Sequence, residues 1–78
     1  MKILYFASLK QAVNKPFEEI TISTKMNVKE LRALLVQQYG VKCFPENILC
    51  AVNQEIANET TLIKNSDEVA FYPPVTGG

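Results

Sequence analysis

A chain of 78 residues is long enough for one hydrophobic core but too short for two, and 47% of its residues are hydrophobic. Its eight basic residues balance its eight acidic ones, it contains no histidine, and like charges form no long run, so we expect no nucleic-acid partner. No stretch approaches the roughly 20 apolar residues needed to cross a bilayer, so we expect no membrane partner and a cytoplasmic location. The spacing of Cys43 and Cys50 permits a disulfide, but a cytoplasmic location favours two reduced thiols.

The first two predicted strands form a hairpin at the start of the chain. A strand over residues 2–7 directs Tyr5 to one face and Phe6 to the other, and both of its faces are apolar. This pattern is typical of a central strand, or of a strand whose second face is covered. Residues 8–14 are predicted to form a short helical turn. A second strand over residues 17–23 alternates apolar and polar side chains, which predicts an edge partner for the first strand.

The strongest helix signal begins at Asn27. Its side chain can accept a hydrogen bond from the first helical turn, and Glu30 stands at the position that completes a capping box. Gly40 is predicted to end the helix, and Arg32 is expected to face water. The apolar stripe of this helix consists of Val28, Leu31, Leu34, Leu35 and Tyr39.

The second half of the chain contains further strand signals and little helix signal. A third strand is predicted over residues 48–53 and a short fourth strand around Ile56, followed by a polar loop over residues 58–66. The last strand covers residues 68–72. The Pro73-Pro74 pair ends that strand, because neither proline can donate a hydrogen bond to a neighbouring strand.

These elements predict an α+β fold in which a mixed sheet packs on one main helix, in two layers. Their order fits the β-grasp fold of ubiquitin, in which the first and last strands lie side by side at the centre of the sheet. We therefore predict a β-grasp domain over residues 1–74 and a flexible C-terminal tail over residues 75–78, which ends in Gly-Gly.

The side chains offer no recognisable catalytic centre, and we expect no bound cofactor and no metal site. Cys50 lies within the third strand, where a core role is favoured over a nucleophilic one. The closing segment from Pro73 to Gly78 can extend about 20 Å, which is far enough to enter a deep site on another protein. Gly77 and Gly78 lack a Cβ, so their backbone can thread a narrow channel and present the terminal carboxyl group for activation.

The closing sequence Asp67–Gly78, together with Ala51–Gln54, resembles the small, sulfur-carrying subunit of molybdopterin synthase. The Pro-Pro-Val-Thr-Gly-Gly ending is its most specific part; thiazole-pathway sulfur carriers also end in Gly-Gly but generally lack the two prolines. The resemblance implies that an adenylating enzyme related to ubiquitin activators consumes ATP to couple Gly78 to AMP. A sulfur donor enzyme then converts the acyl adenylate to a thiocarboxylate.

The resemblance also implies how the carrier meets its main partner, the large subunit of the synthase. The tail enters that subunit and delivers sulfur to cyclic pyranopterin monophosphate, within a heterotetramer whose catalytic side chains come from the large subunit. The docking residues implied by position are Phe6, Ile56, Tyr72, Pro73, Pro74, Val75 and Thr76. Two alternatives stay open at this point: a protein modifier that forms isopeptide bonds through Gly78, and a binding module whose tail is inert.

Overall fold

The computed structural model describes residues 1–74, and it contains the predicted elements in the predicted order together with two short strands that were not predicted. In chain order they are β1 (Lys2–Tyr5), α1 (Ala7–Val13), β2 (Phe17–Glu19), β3 (Met26–Asn27), α2 (Val28–Tyr39), β4 (Leu49–Val52), β5 (Glu55–Ile56), β6 (Leu62–Ile63) and β7 (Glu68–Tyr72). The predicted hairpin, short helix, main helix and three later strands are therefore confirmed. The division into a domain and a tail at residue 75 stays a prediction.

A mixed five-stranded sheet has the strand order β2-β1-β7-β4-β5. β1 and β7 run parallel at its centre, and the other three pairs are antiparallel. The α+β, β-grasp architecture predicted from the element order is confirmed. Both central strands pair with a neighbour along each edge, so they have the central position that their apolar pattern predicts.

One face of this sheet forms the hydrophobic core with α2. Alternate residues of the two central strands point into it, so that Ile3, Tyr5, Val69 and Phe71 are at most 1% exposed. Phe44, from the loop after α2, stacks edge-to-face on Phe71 with ring centroids 5.0 Å apart. Each fully buried side chain of this size contributes about 1.5 to 3 kcal/mol to folding, so this face supplies most of the stability.

The helix α2 begins and ends as its sequence predicts. The Glu30 backbone N–H donates to the Asn27 side chain at 2.8 Å, and the Asn27 N–H donates to the Glu30 carboxylate at 3.1 Å, which completes the capping box. A cap of this kind contributes about 1 kcal/mol. Gly40 has a φ of 91°, which L-residues rarely adopt, and its N–H closes the last turn on the Val36 carbonyl at 2.7 Å.

The predicted orientation of two α2 side chains is wrong. Leu34 is 41% exposed, whereas Arg32 is half-buried and donates from Nη1 to the Ile48 carbonyl at 2.6 Å. At 3.6 residues per turn, Arg32 lies about 60° from Leu35, the centre of the buried stripe, and Leu34 lies about 100° from it. The helix therefore turns Arg32 toward the start of β4 and turns Leu34 toward solvent.

The predicted polar loop over residues 58–66 is wrong in part, because it contains β6. This strand pairs antiparallel with β3, with Met26 opposite Ile63, and Ile63 is buried in the core. A two-residue strand has no detectable alternation, so only the long-range pairing reveals it. The second strand is also shorter than predicted: β2 stops at Glu19, although Ile20 beyond it still packs against the core.

Candidate docking face and base of the closing segment

The outer face of the sheet, opposite α2, carries three rows of side chains that run across the strands. The row nearest the end of β7 is apolar and contains Phe6, Tyr72 and Leu49. Directly paired residues on neighbouring strands share a face, so the next row follows from the register alone. It contains Phe17, Leu4, Ala70, Ala51 and Ile56. The third row is charged and contains Glu19, Lys2 and Glu68.

Three of the docking residues inferred from the resemblance, Phe6, Ile56 and Tyr72, lie on this outer face. Phe6 is 48% exposed, Ile56 is 88% exposed and Tyr72 is half-buried. The Phe6 N–H donates to the Phe71 carbonyl at 3.2 Å, which extends the parallel pairing by one residue and sets Phe6 beside Tyr72. Ile56 belongs to the neighbouring row and lies two strands away from Tyr72. The register thus brings Phe6 and Tyr72 together and leaves Ile56 at the far edge.

Leu49 is an outer-face residue that the sequence analysis did not name. It pairs directly with Tyr72 and is 43% exposed. The signal that could have found it is alternation, because its neighbour Cys50 is buried in the core and successive strand residues point to opposite faces.

The last strand, β7, ends just before the two prolines, as the sequence predicts. β7 stops at Tyr72; Pro73 is half-buried and Pro74 is exposed. Pro73 borders a shallow cavity of about 250 Å³ between α1 and the loop before β4. Val75, Thr76, Gly77 and Gly78 lie outside the described residues, so the roles predicted for them stay predictions.

A carboxylate on the inner side of the hairpin holds two tyrosines. The Glu18 carboxylate accepts hydrogen bonds from the hydroxyls of Tyr5 and Tyr39, each at 2.5 Å, and its other oxygen lies 3.9 Å from Lys15 Nζ. Burial and the neighbouring carboxylate raise the pKa of Tyr5 well above its usual range, and burial raises the pKa of Tyr39 as well. Both phenols therefore stay neutral donors, and the cluster ties the hairpin to α2.

The two cysteines form no disulfide in the structure. Cys50 has the predicted core position, and burial raises the pKa of its thiol to about 11, so it is protonated and a weak nucleophile at neutral pH. Cys43 is half-buried, and its Sγ lies 3.6 Å from the Ala12 carbonyl. Among residues 1–74, no three His, Cys, Asp or Glu side chains are grouped to hold a metal ion. In the same range, no helix is long and apolar enough to span a membrane.

A protein-family model, that of the ThiS family, matches residues 3–78. The chain belongs to the ThiS family. One curated relative of this ThiS-family chain is a molybdopterin synthase sulfur carrier subunit from Mycobacterium tuberculosis. That relative is 35% identical, over 100% of this chain and 96% of its own length. The resemblance inferred from the closing motif is therefore confirmed.

Two solved structures extend the comparison of this ThiS-family chain. SAMP1 from Haloferax volcanii matches with a TM-score of 0.81 and 22% identity, over 100% of this chain and 98% of that one, which shows the fold alone. A chain in the complex of subunits 1 and 2 of molybdopterin-converting factor from Helicobacter pylori matches with a TM-score of 0.70 and 28% identity. That match covers 99% of this chain and 96% of the other.

Proposed function

We propose that the chain is the sulfur carrier subunit of a molybdopterin synthase and acts in molybdenum cofactor biosynthesis through the carboxyl group of Gly78. The observation that carries the proposal is that β7, the strand that precedes the closing segment, ends at Tyr72 in the row that also contains Phe6 and Leu49. The end-to-end similarity to sulfur carrier subunits supports the same assignment.

A terminal carboxylate is a poor electrophile because its oxygen is a poor leaving group. In the proposed cycle, a Gly78 carboxylate oxygen attacks the α-phosphorus of ATP on an adenylating enzyme, pyrophosphate leaves, and an acyl adenylate forms. A hydrosulfide equivalent from a sulfur donor enzyme then attacks the acyl carbon, AMP leaves, and a thiocarboxylate results. The ATP is consumed by the activating enzyme, and this chain needs no cofactor of its own.

The thiocarboxylate next enters the large subunit of the synthase. There its sulfur passes to cyclic pyranopterin monophosphate, and water restores the Gly78 carboxylate. A dithiolene contains two sulfur atoms, so each product consumes two carriers, in keeping with a heterotetramer of two small and two large subunits. The large subunit supplies the catalytic side chains, and this chain supplies the reactive carbonyl group and the docking face.

The docking face, which consists of Phe6, Tyr72 and Ile56 on the outer side of the sheet, is required on energetic grounds. Fixing the backbone of the four residues after Pro74 in a channel costs about 4 to 8 kcal/mol, at 1 to 2 kcal/mol per residue. Two of these four residues are glycines, which have no side-chain surface to offset that cost, so much of the affinity must come from the body. Phe6 and Tyr72 expose apolar surface where the segment leaves the sheet, and Ile56 adds a third apolar side chain at the β5 edge.

The proposal is tested by incubating the full chain with ATP, its cognate adenylating enzyme and sulfide, and then measuring its intact mass. We expect exchange of one oxygen atom for one sulfur atom at Gly78. Deletion of Gly78 should abolish the exchange while leaving thermal unfolding unchanged, because every core residue of the described region precedes Pro73. Conjugation to lysine residues would instead indicate a protein modifier. If neither sulfur exchange nor conjugation occurs, the chain is a binding module with an inert terminus.

A further inference from the structure

Phe17 is a large, exposed apolar side chain that belongs neither to the hydrophobic core nor to the docking residues named above. It begins the edge strand β2, is 48% exposed and contributes nothing to the buried cluster. Its register partner is Leu4, on the central strand β1. Its ring therefore lies on the outer face of the sheet, at the edge opposite Ile56.

The row that contains Phe17 crosses the entire sheet without a polar side chain. Its members are, from edge to edge, Phe17, Leu4, Ala70, Ala51 and Ile56. Neighbouring strands lie about 4.8 Å apart, so four spacings separate the two terminal side chains by about 19 Å. Because Ala70 and Ala51 are small, the surface is shallowly concave in the middle of the row, between the larger side chains of Phe17 and Ile56 at its ends.

A charged row bounds this apolar surface on the side away from the closing segment. Lys2 lies between Glu19 and Glu68 in the register, and its Nζ is 4.7 Å from the centroid of the Phe17 ring. The only ion pair among residues 1–74 is that of Lys15 with Glu18, so the Lys2 charge is held over the aromatic ring and not in a salt bridge. Two carboxylates and one ammonium give the row a net negative charge.

We propose that the docking face extends to the β2 edge and that Phe17 is a second lateral anchor for the large subunit of the synthase. This inference rests on the proposed function. The partner surface that fits is apolar over the row from Phe17 to Ile56 and basic beyond it, where the net negative row lies. Anchors at opposite edges of the sheet hold the body in one orientation against the partner surface. Phe17 thus acts as a positioning residue that aligns Gly78 with the partner's channel.

The test measures the affinity of the full chain for the large subunit of the same organism by isothermal titration calorimetry. Phe17→Glu should weaken binding by about tenfold or more, as expected when an anchor at an interface is lost. The matched control is Val41→Glu, because Val41 is also an exposed apolar side chain, at 69%, and lies away from the sheet in the loop after α2. The control should bind within about twofold of the unmodified chain. Phe17→Ser is measured in parallel, with thermal unfolding of each variant, so that lost binding is not confused with lost folding.

The outcomes separate this inference from the proposed function. Loss of affinity in both Phe17 variants, with unfolding temperatures unchanged and Val41→Glu unaffected, supports the extended face. Unchanged affinity of the Phe17 variants, alongside weakened binding by Tyr72→Glu, overturns the inference and leaves the proposed function in place. If the unmodified chain does not bind the large subunit, the proposed function and this inference both fall.

Discussion

The two faces of the five-stranded sheet are built from the same strands, yet the apolar side chains are buried on one face and exposed on the other. On the inner face, Val69 and Phe71 are 0% exposed against α2. On the outer face, Phe6 and Ile56 are 48% and 88% exposed. Hydrophobicity alone therefore does not assign a role to a strand residue: the helix covers one face and makes it a source of stability, whereas the other face stays exposed, as the proposed docking requires.

The adjacent residues Phe71 and Tyr72 provide the sharpest test of this contrast. Phe71→Ala should lower the free energy of unfolding by about 3 to 5 kcal/mol, because it leaves a cavity in the core. Tyr72→Ala, one residue along on the outer face, should cost about 1 kcal/mol or less. Urea denaturation of both variants measures the difference. Equal losses would show that the outer face is also part of the folded core.

The hydrogen-bonded cluster around Glu18 should show the next largest effect. Glu18→Ala removes the acceptor of two tyrosine hydroxyls and should lower the free energy of unfolding by about 2 to 3 kcal/mol. Glu19→Ala is the matched control, since Glu19 is the neighbouring residue on β2 but points outward and is exposed; its change should stay within about 0.5 kcal/mol. A small effect at Glu18, measured in the same denaturation series, would mean that water replaces the carboxylate.

The outer face itself is tested by charge substitution. Phe6→Glu and Tyr72→Glu should each weaken binding to the large subunit by about tenfold, which corresponds to about 1.4 kcal/mol, because a carboxylate would be desolvated at the contact. Circular dichroism should show an unchanged fold. Affinities equal to that of the unmodified chain would remove these two residues from the docking face.

The local part of the fold was predictable because its signals are periodic. Strand alternation identified β1 and β2, and the Asn27–Glu30 capping box identified the start of α2. The pairing of β3 with β6 was not predictable, because each strand has two residues and their partners lie more than 30 residues apart in the chain. Leu34 and Arg32 were misassigned because the helical period indicates a stripe but not the rotation of the helix against the sheet.

For the candidate site, the sequence alone supplied the features on which the proposed chemistry rests: a closing Pro-Pro-Val-Thr-Gly-Gly segment and a set of apolar residues that alternate along strands. The tertiary structure alone decided which of those residues share one surface. Parallel pairing of β1 with β7 sets Phe6 beside Tyr72, and the register of β2 adds Phe17 to the row that ends at Ile56. The physical reason is that alternation depends on neighbouring residues, whereas register depends on hydrogen bonds between segments that are distant in the chain.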